Sequence, residues 1–236
     1  MSKTQIKIKQ IKPWRLFHLQ FKDDYEMGMT FVRLQEFYES SSLRFRGQAF
    51  TLEQYMDWYS REYGNGGVFT YTGDWEGYNV PSHFFACFLK VFESDPRSGG
   101  LRSRECDLKD ALFKRGLIPD INPNHPQRYQ IIATAGKGLV KFEHEIRHGL
   151  FYLIPEYRSE IEAVIKRYKL TRFRRMLLKV GYFKDVLVDE IQAYVLTGPL
   201  DDLPNSVKRS KEVRNLRKEL KSIEKKYYNR RNRNVI

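Results

Sequence analysis

Residues 139–153 read Leu-Val-Lys-Phe-Glu-His-Glu-Ile-Arg-His-Gly-Leu-Phe-Tyr-Leu. On a wheel of 100° per residue, Leu139, Phe142, Ile146, Leu150 and Leu153 share one side, the side a helix turns toward a core. Lys141, His144, Glu145, His148, Phe151 and Tyr152 share the opposite sector. The stretch is therefore expected to be a helix whose histidine pair stands off the core stripe, beside a polar strip, as in the wall of a cleft. Downstream the pattern stays helical: 155–168, 171–180 and 184–196, then a basic terminal helix over 207–228. Upstream it is mixed. Thr51 with Gln54 is a capping-box signature for a helix to about Tyr63. Further helices are expected over 30–39, 82–92 and from about Asp107 to the Gly116 stop, with strands at Val68–Thr72 and Tyr129–Thr134 and a loop at 73–79. Strands early, helices late and no alternating pattern indicate an α+β, mainly helical fold with a small sheet. One domain over 1–205 and a basic helix or tail over 206–236 are expected.

The 236 residues are 41% hydrophobic and 14% aromatic, which excludes a chain disordered as a whole. No run approaches 18 apolar residues, so no membrane span is expected. The N-terminal MSKTQIKIKQIKPW has no apolar stretch of the kind a secretory signal carries. Two cysteines, Cys87 and Cys106, make no disulfide framework, and a cytoplasmic, reduced protein is expected. The net charge of +13 is uneven: residues 206–236 hold 12 Lys or Arg against 3 Glu, which is +9, and leave +4 for the body. Nucleic acid or an acidic partner is thus a matter for the tail, not for the whole fold.

The pentapeptide His144-Glu145-Ile146-Arg147-His148 is H-E-x-x-H on a helix. Side chains four apart lie on one face, so both imidazoles reach one ion, and Glu145, a quarter turn round, reaches a coordinated water without ligating the metal. That suits a general base. Arg147 brings a charge between Glu145 and His148, but the wheel sets it beside Glu143, an i,i+4 pair away from the histidine sector.

A zinc site needs a third protein ligand: a later carboxylate, or an upstream histidine such as His125 or His83. Glu190 is the best candidate, because it falls between Val186, Leu187, Ala193 and Tyr194 on an apolar helix face, where an unpartnered carboxylate is costly. Asp189 and Gln192 fall on the opposite, polar side. The bland alternative is a buried ion pair of Glu190 with Arg172 or Arg174.

With HEIRH on one helix and Glu190 on a later one, residues 129–196 resemble the gluzincin group of zinc metallopeptidases. A pattern with Gly and His at 151 and 154 is excluded, since Phe151 and Ile154 stand there. The resemblance implies a Zn2+ cofactor, a protein or peptide substrate, and a strand beside the active-site helix that pairs with the substrate, for which YQIIAT or VFTYT is available. It also implies an oxyanion donor, first Tyr152 and then Tyr157. The stretch Asp74–Asn79 either lines the substrate site or packs on the core, with packing favoured.

Overall fold

A computed structural model describes residues 4–136, 139–197, 205–208 and 210–228. In chain order the elements are β1 (Lys7–Ile11), β2 (Leu16–Phe21), α1 (Asp24–Glu39), α2 (Leu52–Glu62), the short α3 (Tyr71–Asp74), β3 (Gly77–Pro81), α4 (Ser82–Ser94), α5 (Ser103–Lys114), β4 (Gln130–Ala135), α6 (Leu139–Leu153), α7 (Pro155–Lys166), α8 (Thr171–Val180), α9 (Leu187–Leu196), α10 (Asn205–Lys208) and α11 (Lys211–Tyr228). This is the α+β, mainly helical class. Among the described residues no helix is long and apolar enough to cross a membrane.

The strands form one mixed sheet in the order β1-β2-β4-β3. β2 runs parallel to β4, from Leu16 opposite Gln130 to Phe21 opposite Ala135, and β3 runs antiparallel to β4. β4 is buried on both faces. With period-two alternation, Ile131, Ala133 and Ala135 face a core built with α1, α2, α4 and α5, and Ile132 faces a second core built with α6, α7, α9 and α11. Trp75 packs against both cores, at the seam between them.

Three upstream expectations are corrected. Val68–Thr72 is not a strand. Tyr71 starts a short helix, because its ring is fully buried and Asp74 accepts from the hydroxyls of Thr70 (2.5 Å) and Tyr59 (2.8 Å), which closes the turn. The strand lies later, at Gly77–Pro81, inside the expected loop. Proline ends it, where the missing N–H costs no ladder bond at a sheet edge. β1 and β2 had no counterpart in the sequence pattern. Helix α1 also begins before residue 30, at the Asp23 cap, whose carboxylate accepts from Glu26 N at 2.8 Å. The Thr51–Gln54 capping box is present in both directions.

Helix α6 carries the histidines across the sheet. Ile146 and Leu150 are fully buried. At Gly149 a Cβ would stand 2.5 Å from Leu16 Cδ1, so glycine lets α6 rest directly on β2. The apolar stripe of α11 closes the second core: Val213, Leu216, Leu220 and Tyr227 are buried there. The tail helix is thus packed on the body, while Arg230, Arg231 and Arg233, expected to be frayed, lie outside the described residues.

Candidate metal centre

One turn of α6 and the first turn of α9 bring three side chains together. Ligand atoms of His144, His148 and Glu190 all lie within 4.8 Å of one another, the one such group among the described residues. His144 Nε2 is 3.9 Å from Glu190 Oε2, and His148 Nε2 is 3.6 Å from Glu190 Oε1. Four-coordinate zinc, with bonds of about 2.0–2.2 Å, sets neighbouring ligand atoms about 3.4 Å apart, so the two His–Glu190 distances are within about 0.5 Å of a coordination shell and the group as a whole must draw in by up to about 1.4 Å. Both rings turn their other nitrogen outward. The Thr197 hydroxyl is 3.4 Å from His144 Nδ1 and donates onward to Ala193 O at 2.7 Å. Asp189 Oδ2 is 3.0 Å from His148 Nδ1.

Glu190 stands where the wheel placed it, buried at 2% exposure. Its charged neighbours are the two imidazoles, and neither Arg172 nor Arg174 forms an ion pair with it. Asp189 and Gln192, assigned by the wheel to a polar outer side, are instead packed inward. Gln192 is fully buried and joins Asp189 to Tyr157. A helix enclosed on several sides needs no solvent face, so its polar side here becomes an internal hydrogen-bonded layer.

Glu145 sits beside the group without belonging to it. It is buried, and its Oε1 lies against Gly77, where a Cβ would come within 2.5 Å. Only a residue without Cβ in β3 leaves room for this carboxyl. Arg147 turns away, donating from Nε to Glu224 Oε1 of α11 at 2.8 Å and from Nη1 to Glu143 O at 2.6 Å.

The charges of the group are set mainly by burial. Burial raises the Glu145 carboxyl to about 7 and raises Glu190 as well. Glu39, at the end of α1, is raised by burial and then by Glu190. Burial opposes charge on His148, but Asp189 and Glu190 outweigh it and its pKa is raised well above the usual histidine value. His144 is lowered by burial, then by His148 and Arg147. Oε2 of Glu145 and Oε2 of Glu190 are buried without a hydrogen-bond partner. Buried carboxyls with orphaned oxygens beside two imidazoles fit a divalent ion, which would favour the charged carboxylates and the neutral rings together.

His144 and Glu145 line a cleft of about 440 Å3, with His148 and Glu190 buried behind them. Asp74, Trp75, Glu76 and Gly77 form one wall, so this stretch lines the cleft as well as packing on the cores. Tyr182 and Tyr194 also line it, with the Tyr182 ring edge-on to Trp75 at 5.6 Å. The Tyr194 ring is 4.8 Å from His144, and its hydroxyl is 3.1 Å from that of Tyr182.

Tyr152 and Tyr157, expected as oxyanion donors, are engaged elsewhere. Tyr152 stacks on His83, with its hydroxyl 2.9 Å from Nδ1. Tyr157 is fully buried and donates to Gln192 at 3.0 Å. Neither lines the cleft. His83 is thereby occupied, and His125 accepts from Gln127 N in its own loop, so neither upstream histidine joins the group. YQIIAT, as β4, has β2 and β3 on its two edges and no edge for a substrate strand. The edge strand against α6 is β3. The chain matches no protein-family model, no curated protein and no solved structure.

Proposed function

We propose that the chain is a zinc-dependent hydrolase acting on peptide bonds, with His144, His148 and Glu190 as ligands and Glu145 as general base. The observation that carries this is the convergence of two imidazole Nε2 atoms and one orphaned carboxylate just behind a cleft that His144 and a second, non-ligating carboxyl, Glu145, line. Two histidines and a carboxylate are a ligand set that suits zinc, and zinc bound there acidifies a coordinated water and polarises a carbonyl. Glu145 accepts a proton from the attacking water and passes it to the leaving amine. Gly77 holds the carboxyl in place from β3. The Tyr182–Tyr194 pair replaces Tyr152 as the donor toward the oxygen on which charge develops. Two free cysteines agree with a reducing, cytoplasmic setting.

Zinc by mass spectrometry and cleavage of a quenched-fluorescence peptide library test this together. His144→Ala, His148→Ala and Glu190→Ala should lose zinc. Glu145→Gln should keep zinc and fold but lose cleavage. Equal cleavage by Glu145→Gln and wild type would remove Glu145 from the role, and full zinc in either histidine variant would remove the site.

A second role rests on the outer face of α11, where Lys211, Arg214, Lys218, Lys221 and Lys225 are exposed. Such a face suits a polyanion, nucleic acid first, bound in a salt-dependent way. Retention on immobilised DNA at low salt, lost on charge reversal of Lys218 and Lys221, would support it.

A further inference from the structure

The polar layer behind the metal group is ordered in one direction. Asp189 can only accept, so the Gln192 amide must turn its NH2 to it, and Nε2 donates to Asp189 Oδ1 at 2.9 Å. That fixes the Gln192 carbonyl toward Tyr157, whose hydroxyl donates to it at 3.0 Å. Asp189 keeps its other oxygen, Oδ2, for His148 Nδ1 at 3.0 Å. Tyr157, Gln192 and His148 are each at least 98% buried, and Asp189, 17% exposed at its side chain, is the one member of the chain that water reaches. Behind Tyr157 stands α11: the Tyr227 ring meets it edge-on at 5.5 Å, and Glu224 holds Arg147, the residue before His148.

We infer that the buried chain Tyr157–Gln192–Asp189 positions His148, fixing its proton on Nδ1 and presenting Nε2 to the ion, and that α11 backs the far end of this chain. The inference rests on the metal reading of the site. A carboxylate on the non-ligating nitrogen of a histidine sets the ring's tautomer and raises its basicity, and removing such a partner typically weakens metal affinity 10–100-fold. Here the carboxylate is itself held by an amide whose orientation a buried tyrosine decides. Tyr157 therefore acts on the metal through two hydrogen bonds and the 3.0 Å Asp189–His148 ion pair, without touching it.

The test uses the full chain and Zn2+ alone, with affinity measured by chelator competition and geometry by the absorption spectrum of the Co2+-loaded protein. Asp189→Asn should bind Zn2+ about 10–100-fold more weakly and shift the Co2+ bands. Asp189→Glu should recover part of the affinity. Tyr157→Phe should weaken binding by less, and in the Asp189→Asn background it should add nothing, because the chain is already cut. Circular dichroism accompanies each variant, and Asp189→Glu carries the test if Asp189→Asn fails to fold. Wild-type affinity in a folded Asp189→Asn would overturn the inference while leaving the site intact, as would a Tyr157→Phe loss that adds in full. Failure of the wild type to bind Zn2+ would overturn the metal reading itself, and this inference with it.

Discussion

Gly77→Ala tests the packing of the proposed base without reference to any substrate. The new Cβ would lie 2.5 Å from Glu145 Oε1 and 2.9 Å from its Cγ and Cδ, against 3.4 Å or more for ordinary contact. The carboxyl must therefore recede by about 1 Å, and Glu145, 6% exposed, can do so only on the side where it lines the cleft. Overpacking of this kind costs roughly 1–3 kcal/mol. In a Glu145→Ala background the obstructing atoms are gone and the same methyl should be nearly neutral, so the double-mutant cycle should return a coupling of about 1–3 kcal/mol. Denaturant midpoints of the four proteins at fixed pH give the number. The ligands are untouched, so zinc affinity should stay close to wild type. Cleavage should fall by about 100-fold, the order expected for a 1 Å displacement of a reacting group. A coupling under about 0.5 kcal/mol, the usual scatter of additivity, would refute the contact and the role of Gly77 drawn from it.

Glu36, buried beside Ser40, Tyr55 and Tyr71, is raised to about 7 by burial. Its folded pKa exceeds the unfolded value, so its contribution to stability is greatest below about 4.5 and is lost as pH rises through 7. That amounts to about 3 kcal/mol in all, and Glu36→Gln should gain on wild type by up to that amount between pH 4.5 and 8. An identical wild-type-to-variant difference at both ends would contradict it. Arg33 uses Nε, Nη1 and Nη2 on both oxygens of Glu105 and on the carbonyls of Phe50, Ser98 and Gly100. Glu105→Ala leaves that buried cation without its counter-ion and should cost about 3–5 kcal/mol in denaturant melts, against less than 1 for the exposed Glu53→Ala. Leu220→Ala should cost about 2–5 kcal/mol, while Lys221→Ala on the exposed face should stay within about 0.5; equal effects would mean that α11 is not docked on the body.

The His144–His148–Glu190 group was legible because a helix converts spacing into direction: i and i+4 share a face whatever the rest of the fold does. The same wheel misled at Tyr152, which shares the histidine sector but lies one turn farther along the axis, where His83 meets it. A wheel resolves angle and not depth. It also equated polar with outer, and so missed Asp189 and Gln192, whose partners come from α6 and α7. Tyr194 was placed on the face of Glu190 but its approach to His144 was not readable, since it depends on how α9 packs on α6, and Tyr182 carried no signal. In the fold, the capping box at Thr51 and the stop at Gly116 were readable because they are local. Gly77–Pro81 was not, because pairing with β4 overrides the weak strand preference of Gly-Tyr-Asn-Val-Pro, while Val-Phe-Thr-Tyr-Thr, rich in strand formers, is drawn into a turn by the burial of Tyr71.

The parallel pairing of β2 with β4 also imposes a timetable on synthesis. Ribosomes add about 5–20 residues per second, so roughly 110 residues separate the emergence of Phe21 from that of Gln130, an interval on the order of 5–20 s. Throughout it the inner edge of β2 has no strand partner. Lys7 and Lys9 lie on the outer strand of the β1–β2 hairpin and discourage another chain from adding there. The inner edge has no such guard until β4 arrives. A nascent chain stalled before residue 130 should therefore be the species of this protein most in need of a chaperone.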